Sequence, residues 1–369
     1  MIVVVGIGAD GWDGLTPAAQ LAISSASVVI GAPRQLALVP FDGLPWGKLA
    51  ELFALVEAHP SCVVLASGDP SFFGVASVLS ARFDVSVIPA VSSISLACAR
   101  LGWPVQGVRV VSFVGRTPSL GPLVPGERLL VLSENAGSPA VVSELLAAQG
   151  FEGSVRVLSD LGGPTEHVGP PVSDLNVVAL EVSGPVRSVV PGLPDEDFEN
   201  DGQITKREVR AVVLSLLGPL PGRRLWDVGA GTGSVGIEWS RAGGVTVAVE
   251  QDPAKCARVT RNAVALGAVV DVVEGAAPEA LAALPVPDAV FVGGGLTAPG
   301  LLDACWDALA VGGRLVATAV TLESEAVLLA WQGKHGGSLT RLSVQRTAPV
   351  GSFTGWKPMT TVTLWAVTK

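Results

Sequence analysis

Histidine, cysteine and charge are all scarce in this chain of 369 residues, which has three histidines, four cysteines and only 15% charged side chains. His59, His167 and His335 lie far apart, and Cys62, Cys98, Cys256 and Cys305 form no Cys-x-x-Cys pair. No metal site can be read from such spacing. Cys62 opens the run CVVLAS and Cys98 sits in ISLACARL, so both read as small buried hydrophobes. Long apolar runs are missing too. No stretch reaches the roughly 18 uninterrupted apolar residues of a membrane span, and the start lacks the basic and long apolar regions of a signal peptide. A cytoplasmic protein without membrane partners is expected. Basic residues are outnumbered 24 to 33, a net charge of -9, which disfavours a nucleic-acid binder that must displace counterions from phosphates. An anionic substrate would need a local basic pocket.

What is abundant is apolar residue, 49% of the chain, with Ala, Val, Leu and Gly dominant, as suits parallel strands buried under helices. The length suggests two domains. Residues 1–190 alternate short β-branched runs (IVVVG, ASVVIG, CVVLAS, DVSVIPA, VRVVSFVG, RLLVLS, SVRVLS, VVALEVS) with helical stretches, the pattern of an α/β domain. The proline-rich and acidic stretch SGPVRSVVPGLPDEDFENDGQ breaks that rhythm, and residues 191–202 are expected to be a linker. From 203 to 369 the alternation resumes, with an amphipathic helix over ITKREVRAVVLSLLG, then RRLWDVG, VTVAVE, VVDVVEG, DAVFVGG, GGRLVATAV and TTVTLWAV as strands. Helices are expected over SVGIEWSRAG, PAKCARVTRNAVALG, PEALAAL and GLLDACWDALAVGG, so this half reads as a second doubly wound sheet.

Two glycine loops raise the question of a nucleotide. The first, Gly6-Ile7-Gly8-Ala9-Asp10-Gly11 after IVVVG, has the spacing of a dinucleotide loop. In that loop a helix follows at once, to hold a pyrophosphate on its N-terminal amides. Here Asp10 to Gly14 is turn chemistry, and the first helix start is Thr16 as N-cap with Pro17 behind it. The next strand, ASVVIGAP, also ends without the acid that holds a ribose, so an NAD-dependent oxidoreductase is disfavoured. Gly6 and Gly8 leave bare backbone at a strand's carboxyl end, where ligands of open sheets approach; an ordinary glycine turn is the competing reading. Gly68-Asp69-Pro70 follows another strand, with Asp69 also explained as an N-cap before proline, and Ser92-Ser93 follows a third.

The second loop is WDVGAGTGSVGIEW. Asp227 ends the strand, and Gly229, Gly231 and Gly233 follow at alternate positions. A carboxylate there would repel a pyrophosphate but suits the ammonium and sulfonium of S-adenosylmethionine. Glu250 ends the next strand, where a carboxylate can accept from ribose hydroxyls.

VGIGADGWDGLT, LASGDPSFFG, IPAVSSISLACARLGW and VVSFVGR are similar, in order and spacing, to the motifs of the tetrapyrrole methylase family, and SDLGGPTEHV resembles its corrin-pathway branch that methylates C5. The second half, through ITKREVRA, LWDVGAGTGSVGIEW, AVEQDP, EGAAPEAL, FVGGG and GGRLVATAVTLES, resembles the class I methyltransferase domain of the same pathway. The implied fold is a tetrapyrrole methylase fold of two α/β subdomains followed by a Rossmann-like class I methyltransferase fold. The implied activity is methylation of a precorrin at C5 by the first domain. The second would methylate C15 and remove the carboxyl of the C12 acetate, within cobalamin biosynthesis. A cobalt-precorrin substrate is the alternative.

The resemblance implies two S-adenosylmethionine sites. Ile7, Gly8, Gly68, Asp69, Phe72, Ser92 and Ser93 would form the first. Thr205, Asp227, Gly229, Gly231, Thr232, Gly233, Glu250, Gln251, Ala276 and Ala277 would form the second. Many relatives carry an acid where this chain has Ala276, so adenine would fall to backbone groups there. Lys206 and Arg210, on neighbouring turns of one helix, are candidates for substrate carboxylates or catalysis, against a plain solvated face. Gly293, Gly294 and Gly295 would leave room for a flat substrate. Arg116 (substrate) and Glu323 (catalysis) are further candidates, each also readable as a surface charge. Isolated domains like the second suggest a homo-oligomer.

Overall fold

The computed structural model describes all 369 residues, which divide into two compact units. Unit 1 comprises Met1–Pro118, Pro125–Leu146 and Glu152–Gly184; unit 2 comprises Ser119–Val124, Ala147–Phe151 and Pro185–Lys369.

Unit 1 holds two five-stranded sheets. The first is built from β1 (Ile2–Ile7), β2 (Val29–Gly31), β3 (Leu44–Pro45), β4 (Val63–Ser67) and β5 (Val85–Ile88), all parallel in the order β3-β2-β4-β1-β5. Its central strands β1, β2 and β4 are apolar on both faces because both are covered, whereas β3 lies exposed at the edge. Alternate side chains of β1 serve opposite cores: Ile2 and Val4 pack with Leu52, Val64 and Leu79, whereas Val5 and Ile7 pack with Ile23, Val29 and Leu65. The second sheet holds β6 (Val108–Ser112), β7 (Arg128–Leu132), β8 (Glu152–Ser159), β9 (His167–Val168) and β10 (Asn176–Ser183) in the order β6-β7-β10-β8-β9. Only β6 and β7 run parallel. Helix Ser93–Leu101 lays Ile94, Ala97 and Cys98 on Leu130, Leu158 and Val177 of this sheet. Cys62 and Cys98 are buried, as their apolar neighbours foretold.

Unit 2 is a seven-stranded sheet of order β13-β12-β11-β14-β15-β19-β16. Its strands are β11 (Arg224–Val228), β12 (Val245–Glu250), β13 (Val270–Glu274), β14 (Ala289–Val292), β15 (Arg314–Ala319), β16 (Ser338–Leu342) and β19 (Val362–Thr368). β11 to β15 are parallel, and β19 runs antiparallel between β15 and β16. The chain order reverses beside β11, so loops at the carboxyl ends of β11 and β14 diverge and leave a crevice. A separate hairpin, β17 (Gln345–Val350) and β18 (Phe353–Pro358), is inserted between β16 and β19. Helix Arg207–Leu217 buries Val209, Val213, Leu214 and Leu217 on one face and stops at Gly218, whose φ of 65° closes it.

Residues 191–202, read above as a linker, are built into unit 2. Leu193 and Phe198 are buried there, and the Gly192 and Leu193 amides donate to the buried Glu238 carboxylate at 2.5 and 3.0 Å. Proline and acid did mark a break in secondary structure, but the acid is consumed by arginines: Asp195 meets both Arg210 and Arg346. No helix is long and apolar enough to cross a membrane.

Candidate active sites

Each unit has a cleft at the carboxyl ends of its parallel strands. In unit 1 the cleft is about 330 Å³ and is lined by Ile7, Gly8, Gly68, Asp69, Phe72, Ser92 and Ser93 from three loops, with residues of the second sheet opposite. The loops are tied by backbone: the Gly68 amide donates to Ile7 O at 3.0 Å, and the Ala90 amide to Gly68 O at 3.2 Å. Gly6 is required by this approach, since a Cβ there would stand 2.0 Å from Gly68 O. Thr16 caps helix Pro17–Ser24 by accepting from the Ala19 amide, so the first helix starts where turn chemistry placed it. Ser92 likewise caps Ser93–Leu101, accepting from the Ser95 amide at 3.1 Å.

Asp69 is not an N-cap. Its Oδ1 accepts from the Ser71 amide at 2.9 Å, and the next helix begins only at Val75, after Gly74. The two phenylalanines between Ser71 and Gly74 instead form an edge-to-face pair, with Phe73 at a positive φ. Arg116 does not line the cleft; its guanidinium lies 5.2 Å from the Phe73 ring and is exposed. The arginine brought to the cleft is Arg34, whose Nη2 donates to Ser67 Oγ at 2.6 Å beside Gln35 Nε2 at 3.1 Å. Trp46 joins them. The available signal was a lone arginine just after a buried strand, in a chain poor in charge.

The cleft of unit 2 is larger, about 1080 Å³. Asp227, next to last in β11, has 1% exposure, and its Oδ2 accepts from the Gly236 amide at 2.9 Å. Desolvation pushes its pKa up to about 7, against that amide and with help from the negative Glu250. Glu250 is anchored by backbone: Oε2 accepts from Gly231 at 2.9 Å, and Oε1 from Gln251 and Asp252 at 2.9 and 3.1 Å. A carboxylate has about four lone-pair sites, so Oε2 of this cleft-lining residue keeps one. Gly229, Gly231 and Gly233 have φ of 69°, 59° and 74°, and a Cβ on Gly231 would meet only open space. Thr205, Lys206, Thr232, Gln251, Ala277 and Gly293 to Gly295 also line the cleft, whereas a Cβ on Gly233 would meet Val259, and neither Gly233 nor Ala276 is part of the lining.

Two candidates are corrected. Arg210 is fully buried: Nε donates to Glu238 at 2.6 Å, and Nη1 to Thr205 O at 2.5 Å and Asp195 at 3.3 Å, with Leu193 O taking Nη2. It is the internal tie of the helix face, not a surface cation one turn from Lys206. Glu323 is exposed on helix Leu322–His335 and lies outside the cleft, because Thr321 caps that helix and turns its first residues outward. The basic groups at the cleft are Lys206, Lys255, Arg346 and Lys357. Arg346 and Lys357 come from the hairpin, where Arg346 pairs with Glu208 at 2.6 Å and Asp195 at 3.0 Å; the Glu208 contact, above all, raises its pKa.

Residues 1–175 match the family model of tetrapyrrole (corrin/porphyrin) methylases, and residues 196–369 that of the precorrin methyltransferase domain. The chain is 43% identical to the precorrin-6Y C(5,15)-methyltransferase [decarboxylating] of Sinorhizobium sp, covering 100% of this chain and 96% of that one. Identity to the protein of the same name from Mycobacterium tuberculosis (strain ATCC 25618 / H37Rv) is 41%, covering 100% of both. A solved C-terminal domain of precorrin-6Y C5,15-methyltransferase from Rhodobacter capsulatus is 41% identical, covering 50% of this chain and 100% of that one, with a TM-score of 0.47. Fold and matched domains define a methyltransferase of the α/β class. The chain belongs to the precorrin-6Y C5,15-methyltransferase (decarboxylating) family, and is thus one of the decarboxylating C-methyltransferases.

Proposed function

We propose that the chain methylates precorrin-6Y at C5 and C15 and removes the carboxyl of its C12 acetate, giving precorrin-8, with an S-adenosylmethionine site in each unit. The observation that carries this is the pairing of two separate glycine-loop clefts in one chain with full-length similarity to enzymes of that name. Unit 1 is assigned the C5 methylation, and unit 2 the C15 methylation and decarboxylation. The reading places the enzyme in the cytoplasm, as a homo-oligomer through unit 2. Sedimentation of the full chain tests the last point: a single-copy mass would overturn it.

The residues of both clefts fit the donor. In unit 2, Asp227 and Glu250 supply the negative charge that a cationic ligand needs, and the Cβ-free loop at Gly229 and Gly231 admits it closely. When bound, the donor supplies a sulfonium-borne methyl group open to in-line displacement by an electron-rich ring carbon. Glu250 Oε2 would accept from a ribose hydroxyl, and Asp227 would face the ammonium. Lys206, Lys255, Arg346 and Lys357 would hold substrate carboxylates at the cleft mouth, and Gly294, with no atom within 4 Å of a Cβ position, would let a flat macrocycle settle. Arg34 would do the same in unit 1. The protein's share of the chemistry is positioning and exclusion of water. For the decarboxylation, the conjugated ring itself can take up the electrons released.

Calorimetric titration with S-adenosylhomocysteine tests the two sites. The wild-type chain is expected to bind at two sites, Gly8→Arg at the unit 2 site alone, and Asp227→Ala at the unit 1 site alone. One wild-type site, lost in Asp227→Ala, would overturn the assignment of a donor site to unit 1.

A further inference from the structure

The wall of the unit 2 cleft that runs from β16 into the hairpin alternates along its length. Leu342, Val344 and Arg346 line the cleft and are half-buried, whereas Ser343 and Gln345 between them are exposed and lie outside the lining. The facing strand supplies the matching halves. Leu342 stands opposite Val362 and Arg346 opposite Lys357, and between them the Met359 amide donates to Val344 O at 2.9 Å. On the other face the Ser343 and Thr361 hydroxyls meet at 3.1 Å. Residues directly opposite on an antiparallel pair share a face. The wall is therefore a ladder of rungs, Leu342 with Val362, Val344 with Met359, then Arg346 with Lys357, all of them in the lining. The apolar rungs adjoin the sheet, and the first cations stand about 7 Å beyond Val344, two residues along an extended strand.

A ring edge that carries several carboxylates meets unlike surroundings on such a ladder. A carboxylate on the rung of Arg346 and Lys357 has its charge compensated, and one seated further in faces aliphatic and thioether surface. Loss of carbon dioxide depends on that difference. The bond between the acetate methylene and its carboxyl carbon breaks, the electron pair passes into the conjugated ring, neutral carbon dioxide leaves, and the methylene takes a proton from water to become methyl. A cation on the departing carboxylate is bound most strongly before the bond breaks and so holds the reaction back. An apolar contact favours the dispersed charge and the uncharged product instead. Resting on the assignment of decarboxylation to unit 2, we propose that the rung of Val344 and Met359 receives the acetate carboxylate that is lost, while the rung of Arg346 and Lys357 anchors a neighbouring carboxylate that is kept. Val344 and Met359 are specificity-determining residues, which select the carboxyl that leaves.

The test uses the full chain with precorrin-6Y and S-adenosylmethionine and reads the release of carbon dioxide in Val344→Lys, Met359→Lys and Ser343→Lys. A lysine at 344 or at 359 is expected to lower kcat for release at least about tenfold and to lower KM with it, the pattern of a carboxylate stabilised before it reacts. Ser343→Lys adds the same charge on the exposed face and is expected to keep both constants. Calorimetry with S-adenosylhomocysteine is expected to give the wild-type affinity at the unit 2 site in all three, which separates this effect from misfolding; having the lysine on either strand guards against one variant that fails to fold. An unchanged kcat in a folded lysine variant, or a lower kcat with a raised KM, would overturn the inference while leaving decarboxylation in unit 2. Release that continues in Asp227→Ala and stops in Gly8→Arg would move the reaction to unit 1 and remove both.

Discussion

Asp227 and Arg210 are ionisable groups with almost no exposure, and their surroundings set them to different tasks. Arg210 is saturated by carboxylates and carbonyls, so removing it leaves the buried Glu238 without its counter-ion, held by the Gly192 and Leu193 amides alone. Arg210→Met is expected to cost about 3–5 kcal/mol in denaturant unfolding of unit 2, the scale for breaking a buried pair. Lys206→Ala, at the cleft mouth, is expected to stay within about 0.5 kcal/mol and to raise KM for the polycarboxylate substrate. Asp227, by contrast, retains its proton up to about pH 7 because burial outweighs its one amide donor. An acid whose folded pKa is raised stabilises the fold below its ordinary range, and that contribution is lost as pH climbs toward 7. The ligand's ammonium favours the ionised form, so below pH 7 binding must also expel the proton. Affinity of the unit 2 site for S-adenosylhomocysteine is therefore expected to rise up to about tenfold per pH unit from 6 to 7 and to level off above 7.5. Asp227→Asn should bind more weakly with a flat profile; an unchanged slope in that variant would assign the titration to another group.

At the scale of elements, strands and glycine loops were legible because their signals are local. A run such as IVVVG can only be a buried strand here, and alternate glycines at 229, 231 and 233 do carry positive φ. Where reading failed, the deciding contacts are distant in sequence. Arg210 stands at helix spacing from Lys206, yet Glu238, 28 residues on, draws it inward. PEALAAL has helix-forming residues but yields only the turn Glu279–Leu281, cut short by Pro285 and Pro287 after it. The hairpin β17–β18 went unread because its faces are mostly exposed and show no clear hydrophobic period. It nevertheless brings Arg346 and Lys357 to the cleft. Replacing residues 346–357 by a short turn is expected to raise substrate KM in C15 methylation while unit 2 still binds S-adenosylhomocysteine, as measured by kinetics and calorimetry on one preparation. In unit 1, Gly6→Ala is expected to lower the thermal midpoint and abolish Gly8-dependent binding, because its Cβ would occupy the place of Gly68 O.

For the molecule as a whole, the question is why two units that match two different methyltransferase families share a chain. Their clefts are built from separate sets of residues, with none in common, so each donor site should survive loss of the other. Gly8→Arg is a suitable block for unit 1, since its Cβ meets only the movable end of the Asp10 side chain and its backbone needs no positive φ. With precorrin-6Y and S-adenosylmethionine, this variant is expected to yield a macrocycle that has gained one methyl group and lost one carboxyl, both changes belonging to unit 2. Asp227→Ala should yield a macrocycle with one added methyl and every carboxyl retained. Mass spectrometry separates these products directly. If Gly8→Arg abolished decarboxylation as well, the units would act in obligatory order, with C5 methylation first. If Asp227→Ala alone stopped every change, unit 2 would have to act first, and unit 1 would recognise only the product of unit 2. Independent products from the two variants would mean that fusion keeps two successive catalysts at equal number without making either depend on the other's donor site.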